Sequence, residues 1–400
     1  MLTEEASKGA VLPASVPSRR ITGPRPSSIR VLFFNEGNLG THVLGHNQLV
    51  EALRAGLASA QDVEARFVGL SPMRRLAIAA ATRPIEPLRR ANLDMHSLRW
   101  HLVQSLRARV ELERELRRWP ADVVHFYTPA VALAMATTMR RVPVVLSMDT
   151  TVRDWWAMPA WRPNQRYASA TIAPSCALER RALRHAALVL ARTAWVRKGV
   201  EEQAPGVRVV EHHPGIDLDR YRPAPRQERS RPRVLFVGGR FREKGGWDLL
   251  AALEERLGED VELDLVTPDY VPAREGLRIH RLQPNDPRLV DLFQQADVMC
   301  LPTYGDTNPW VILESMACGT PVLATNVGGI PDMLDRGRAG VLVPHGDPAA
   351  LRAALLGLLD DPARRARLAT SARRRCEEHY DATLQFARLS DLLRLAAGSA

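Results

Sequence analysis

Lysine is nearly absent from this chain: Lys8, Lys198 and Lys244 stand against 52 arginines among its 55 basic residues. The net charge is +10, but it is scattered and carries no recognition signature, so nucleic acid is not an expected partner. Attraction to phosphorylated ligands or anionic lipid fits it better. The arginine skew makes Lys244 conspicuous. Long apolar runs are missing too, and none approaches the ~18 residues of a membrane-spanning helix. The opening residues, MLTEEASKGAVLPASVPSRRITGPRPSS, lack the hydrophobic block of a secretory signal, and residues 1–28 read as a disordered leader. Cysteine is scarce, and Cys176, Cys300, Cys318 and Cys376 lie far apart. That pattern argues against a disulfide frame or a zinc site and for thiols of a reducing, cytoplasmic compartment.

What is present is alternation. At 400 residues the chain is long enough for two cores. Short β-rich runs at 29–34, 65–70, 123–127, 142–148 and 188–191 alternate with helical patterns, and the scheme repeats at 233–238, 261–267, 278–282, 297–302, 322–325 and 340–344. The alternation predicts an α/β fold of two doubly wound parallel sheets facing a cleft. The expected domains are 29–210 and 233–378, joined by a proline-rich, charged linker at 211–232. The closing residues, 379–400, form an amphipathic segment that needs a surface and is expected to cross back to the first domain. The run 97–119 reads as an amphipathic helix with a basic face, either a scaffold helix of the first domain or a membrane-surface element.

The most informative stretch is LPTYGDTNPWVILESMACGTPVLATNVGGIP, residues 301–331. Asn308-Pro309 predicts a helix start and Gly319 before Pro321 its end. Glu314 is the one ionisable group on this otherwise apolar helix, so it is paired internally or faces a pocket. Asp306 lies in the loop that feeds the helix. A helix N-terminus beside two carboxylates suits a ligand that is anionic at one end and rich in hydroxyls at the other. A sugar nucleotide is such a ligand. At 237–245, VGGRFREKG, a strand ends in glycines and brings backbone amides and two cations to one point, where a diphosphate could be held. A strand-to-helix turn with solvated charges is the bland alternative. The spacing is neither a Walker loop nor GxGxxG.

Taken together, GGRFREKGG, Asp306-x7-Glu314 and ACGTPVLATNVGGIPD resemble the retaining glycosyltransferases of family 4, which have the GT-B fold. HHPGIDLDRYRP (212–223) resembles the family's interdomain element, and DVVHFYT (122–128) and ARTAWVRKGV (191–200) its weaker first-domain signatures. The resemblance implies that Arg240 and Lys244 hold the donor diphosphate, beside Gly238 and Gly239. It implies that Glu314 takes the ribose hydroxyls and Asp306 the transferred sugar, with Thr307, Asn308, Pro309, Trp310 and Val311 lining the sugar and phosphate. Arg240, Lys244, Asp306 and Glu314 are thus the catalytic candidates. Gly40 and Thr41 match the first-domain glycine region that approaches the phosphate.

There are departures: Asp306 replaces the usual Glu, Asn308-Pro309 the usual Phe-Gly, and Met148 the histidine of a His-Asp pair. Asp149 remains as an acceptor-side candidate, with His125. Both His125 and His42 also read as structural histidines. The Asp217-Leu218-Asp219 triplet lies in the interdomain element and is not expected to bind metal; neither a metal nor another cofactor is implied.

The resemblance implies transfer of a sugar from a UDP- or GDP-sugar to a carbohydrate or lipid-linked acceptor, with retention of configuration. If the acceptor is lipid-linked, peripheral membrane association follows. A nucleotide-sugar 2-epimerase of the same architecture and a non-catalytic nucleotide-sugar-binding protein are the alternative readings.

Overall fold

The computed structural model describes residues 28–35, 63–70, 83, 85–90, 93, 95–158 and 168–398. The first domain runs β1 (Ile29–Asn35), β2 (Val63–Gly69), α1 (Glu86–Arg90), α2 (His96–Arg118), β3 (Val123–Phe126), β4 (Val144–Met148), α3 (Val152–Ala157), α4 (Ala168–His185), β5 (Leu188–Ala191), α5 (Ala194–Gln203) and β6 (Val209–Glu211). The second runs β7 (Arg233–Val237), α6 (Gly246–Ala252), β8 (Glu262–Val266), β9 (Leu277–His280), α7 (Pro287–Gln295), β10 (Val298–Leu301), α8 (Trp310–Ala317), β11 (Val322–Thr325), α9 (Ile330–Met333), β12 (Val341–Val343), α10 (Pro348–Leu359) and α11 (Pro362–His379). A last helix, α12 (Ala382–Ala397), follows.

Each domain is built on a six-stranded sheet, ordered β2-β1-β3-β4-β5-β6 and β12-β11-β10-β7-β8-β9. Every strand pairing within them is parallel. The expected doubly wound α/β architecture is therefore present. Central strands such as VVHF, VVLSM and VMCL are buried along their whole length, as sheets covered on both faces require. Strand β6 was not legible in the sequence, because three half-buried residues make no apolar run. Helix starts recur as Asp-Pro: Asp286, Asp347 and Asp361 each accept an amide of the first turn, and proline takes the next position.

The order of strands reverses between β7 and β10 in the second sheet and between β1 and β3 in the first. In open α/β sheets a crevice forms outside the strand ends at such a reversal. It is where the chain leaving β7 and the chain leaving β10 lie side by side.

Two segments cross between the domains together. Ile216 bridges Asp381, with Ile216 N donating to Tyr380 O at 2.7 Å and Ala382 N to Ile216 O at 3.0 Å. Beyond this crossing α12 lies on the first sheet, where Leu389, Leu392, Leu393 and Ala396 share a core with Ile29, Val31, Phe33 and Val123. Helix α2 serves as scaffold: Ala108 and Leu112 join the first-domain core. Its buried Ser105 donates to Val131 O and accepts from Ala134 N, both at 2.7 Å. Leu106 and Val110, on its other face, are exposed. Among the described residues no helix is long and apolar enough to cross a membrane.

Candidate active site

The turn after β7 and the loop after β10 are locked to each other by backbone contact. Gly245 has φ +76°, and a Cβ there would lie 2.0 Å from Pro302 O, so only glycine permits the approach. Tyr304 N donates to Glu243 O at 3.0 Å, and Thr303 Oγ1 donates to the same oxygen at 3.3 Å. Earlier in the turn, Gly238 N donates to Val266 O and Phe241 N to a carboxylate oxygen of Asp269, at 2.9 and 2.8 Å. The result is that Lys244 Nζ forms an ion pair with the Asp306 carboxylate, with both side chains largely buried. Arg240 shares this turn, its carbonyl accepting from Lys244 N at 2.9 Å. Gly239 is exposed, and a Cβ there would meet nothing within 4 Å.

The Asp306 loop is backed by Gly328 and Gly329. A Cβ on Gly328 would lie 1.9 Å from Asp306 O, and one on Gly329 2.3 Å from Thr307 O. Gly329 N donates to Thr307 O at 3.0 Å, and Thr325 Oγ1 to Thr303 O at 2.5 Å. Two adjacent glycines after a buried strand signal such close backbone packing.

Helix α8 begins one residue later than expected. Pro309, with extended ψ of 116°, is its N-cap, and the cap makes no side-chain hydrogen bond. Asn308 is therefore not the capping residue: proline occupies the position from which a side chain reaches the first turn. Asn308 Oδ1 is left buried and without a hydrogen-bond partner. The helix ends as predicted at Gly319, φ +68°. There Gly319 N donates to Met316 O and Thr320 N to Ser315 O, the paired bonds that close a helix through a left-handed glycine.

Glu314 is buried on α8 and accepts from the Tyr221 hydroxyl at 3.1 Å. Burial pushes its pKa up to about 7, against the opposing pull of the Tyr221 hydrogen bond and of Arg220. Tyr221 itself is raised, by burial first and then by the Glu314 charge. Tyr221 stands inside the interdomain element, and nothing in its sequence neighbourhood marks this role. In that element Asp217 Oδ1 accepts from Asp219 N and Arg220 N, at 3.0 and 2.9 Å. The triplet thus forms a turn, and among the described residues no cluster of metal-binding side chains occurs.

On the first-domain side, Asp149 follows β4 and is half-buried. His125 is only 2% exposed within β3, its Nε2 2.8 Å from Ser147 Oγ. Burial, helped by Arg192, lowers its pKa to about 3, so the ring is neutral. His125, Tyr127, Arg192, His212 and His213 surround a cavity with room for about one water. Of the two acceptor-side candidates, Asp149 is the one not enclosed by the core. Gly40, Thr41 and His42 lie outside the described residues.

The two halves also touch across the cleft. Asp332 Oδ2 accepts from Trp195 N, at the start of α5, at 2.6 Å. Trp310, the first residue of α8, packs against the first-domain core. The first contact joins residues 137 positions apart and was not legible in the sequence.

Two family models match the chain: "Glycosyltransferase Family 4" over residues 44–220 and "Glycosyl transferases group 1" over 231–361. The chain is 35% identical to a D-inositol 3-phosphate glycosyltransferase of Streptomyces avermitilis over 195 residues, which cover 41% of this chain and 42% of that one. It spans less than half the length of this and two further D-inositol 3-phosphate glycosyltransferases that it matches. It is 30% identical to a glycogen synthase of Mycobacterium tuberculosis over 66% of both chains. Among solved structures, sucrose-phosphate synthase from Thermosynechococcus elongatus superposes with a TM-score of 0.68 at 19% identity, covering 93% of this chain and 100% of that one. Anabaena HepE in complex with UDP-glucose gives 0.63 at 15% identity, covering 91% and 99%. The GT-B fold is thereby established.

Proposed function

From a chain that belongs to glycosyltransferase family 4, we propose a retaining transferase that moves a sugar from a nucleotide-diphosphate sugar to a carbohydrate or lipid-linked acceptor. The observation that carries this reading is the Lys244–Asp306 ion pair at the strand reversal of the second sheet, with Glu314 buried on the helix that follows the Asp306 loop. In this reading Arg240 and Lys244 hold the diphosphate and offset the charge it gains as leaving group. The exposed backbone at Gly239 lets the phosphates approach. Glu314, kept in place by Tyr221, accepts the ribose hydroxyls. Asp306 takes sugar hydroxyls, with Thr307, Asn308, Pro309, Trp310 and Val311 lining that end.

The acceptor enters from the first domain, with Asp149 beside the reacting carbon. Its hydroxyl attacks the anomeric carbon from the face the diphosphate leaves, the C–O bond to phosphate breaks, and a phosphate oxygen takes the hydroxyl proton. No side-chain nucleophile is used, unlike the paired carboxylates of retaining glycosidases. No metal is required in this scheme, because two cations face the diphosphate. The HepE complexes, with UDP, glucose and UDP-glucose, favour UDP as the first nucleotide to try.

The test is turnover of UDP- and GDP-sugars with a panel of glycan and lipid-linked acceptors, reading nucleotide release and product anomeric configuration by NMR. A retained glycosidic product supports the proposal. Interconversion of donor epimers without transfer, or an inverted product, would overturn it.

A further inference from the structure

Arginine is everywhere in this protein, so its pairing is more informative than its number. Helix α11 carries six arginines, Arg364, Arg365, Arg367, Arg373, Arg374 and Arg375. Four are engaged. Arg365 donates to Leu358 O, Arg373 to Tyr221 O and Ala317 O, and Arg375 to Met333 O and Asp332 O. Arg374 lies 3.9 Å from Glu378. The side chains of Arg364 and Arg367 have no carboxylate partner among the described residues. At i and i+3 they share one face of the helix. They also stand in its first two turns, where the helix dipole already disfavours cations.

That face looks onto a groove of about 490 Å³, also lined by Arg336, Arg338, Ser371 and the start of β12. No lining residue is acidic. Asp335, beside it, binds Arg338 through both carboxylate oxygens at 2.7 Å and so offsets one of the four charges. Arg336 is held with φ +53°, in a region non-glycine residues seldom adopt, and its side chain is 76% exposed. Its guanidinium makes a long ion pair with Asp332 Oδ1, at 3.4 Å, which leaves most of the group exposed to the groove. The groove is at the β12 edge of the second sheet, two strands from β10, and shares no residue with the Lys244–Asp306–Glu314 site.

We propose that this groove is a second anion site, which takes a phosphate group through Arg364, Arg367 and Arg336. Guanidinium forks match phosphate oxygens in pairs, and a concave wall without carboxylates concentrates their field. Ser371 supplies a hydroxyl donor at the rim. The phosphate can belong to a soluble ester or to a lipid headgroup. It does not depend on the donor-site assignment.

The test measures inorganic phosphate binding to the full-length protein by NMR or calorimetry, with Lys244→Ala as background to silence the donor site. In the same background, Arg364→Gln/Arg367→Gln weakens phosphate binding at least ~10-fold, equivalent to ~1.4 kcal/mol. Arg374→Gln, which removes one exposed charge outside the groove, leaves it unchanged. Thermal midpoints of all variants check that the fold is retained. Soluble glucose 6-phosphate and vesicles of equimolar phosphatidylglycerol and phosphatidylcholine then separate the two sources. A groove that reads free esters binds the first, one that reads lipid binds the second, and in either case the double variant loses it. Phosphate binding that is absent, or that is the same in the double variant and in Arg374→Gln, would overturn the proposal.

Discussion

The ammonium of Lys244, in the turn after β7, is ion-paired with the carboxylate of Asp306, in the loop after β10, 62 residues further along the chain. Adjacent strands at the sheet reversal bring them together, and Gly245 lets the two backbones touch. The pair fixes a cation and a carboxylate at one point. Lys244→Ala is expected to lower turnover and donor affinity at least ~10-fold, or ~1.4 kcal/mol. A double-mutant cycle with Asp306→Ala, read in steady-state kinetics, is expected to be strongly non-additive. Additive effects would mean that the two side chains act apart.

Gly239 and Gly245 separate ligand contact from folding. A Cβ at Gly239 meets open space, so Gly239→Ala keeps the thermal midpoint while weakening donor binding if the diphosphate rests on that backbone. Gly245→Ala collides with Pro302 O and forces alanine into positive φ, and it is expected to cost more than ~1 kcal/mol of stability. Denaturant unfolding and donor titration on both variants check this; unchanged donor affinity in Gly239→Ala would remove the phosphate from that turn.

Glu314 gives the protein a pH signature. Its folded pKa, about 7, lies above the ordinary value of 4.5. Between these values this carboxyl binds more protons in the native than in the unfolded state, so its own contribution to stability is greatest below pH 4.5 and is lost as pH rises through 7. Glu314→Gln should remove that slope, and the variant gains on the wild type by a few kcal/mol at most above pH 7. Donor affinity should move the opposite way, rising toward pH 7 as the ionised carboxylate becomes the stronger acceptor for ribose hydroxyls. Thermal melts and donor titrations across pH 5 to 8 measure both slopes.

Helix α12 belongs to the first domain's core although it ends the chain. Ending the protein after Tyr380 would uncover Val31, Phe33 and Val123, and lose the burial of Leu389 and Leu393, each worth ~1.5–3 kcal/mol. Limited proteolysis is expected to attack the first domain of the truncated protein and spare the second. Equal resistance in both domains would contradict this packing.

The second domain was the more legible half. Its buried strands are apolar from end to end, its helices start at Asp-Pro, and Gly319 stops α8 where a left-handed residue is needed. Glu314 was legible as an isolated charge on an apolar helix. Its partner Tyr221 was not, because a hydroxyl 93 residues away leaves no local pattern. The capping role expected of Asn308 went to Pro309, a choice between two adjacent non-helical residues that sequence rules resolve poorly. His125 satisfied both a site reading and a core reading until its burial and its Ser147 contact were visible.

The most direct measurement is calorimetric titration of UDP-glucose, and of other UDP-, GDP- and ADP-sugars, into the wild type and Glu314→Ala. The account predicts that one nucleotide family binds the wild type and that the substitution weakens it at least ~10-fold. No binding by any of them, or equal affinity in both proteins, would contradict it.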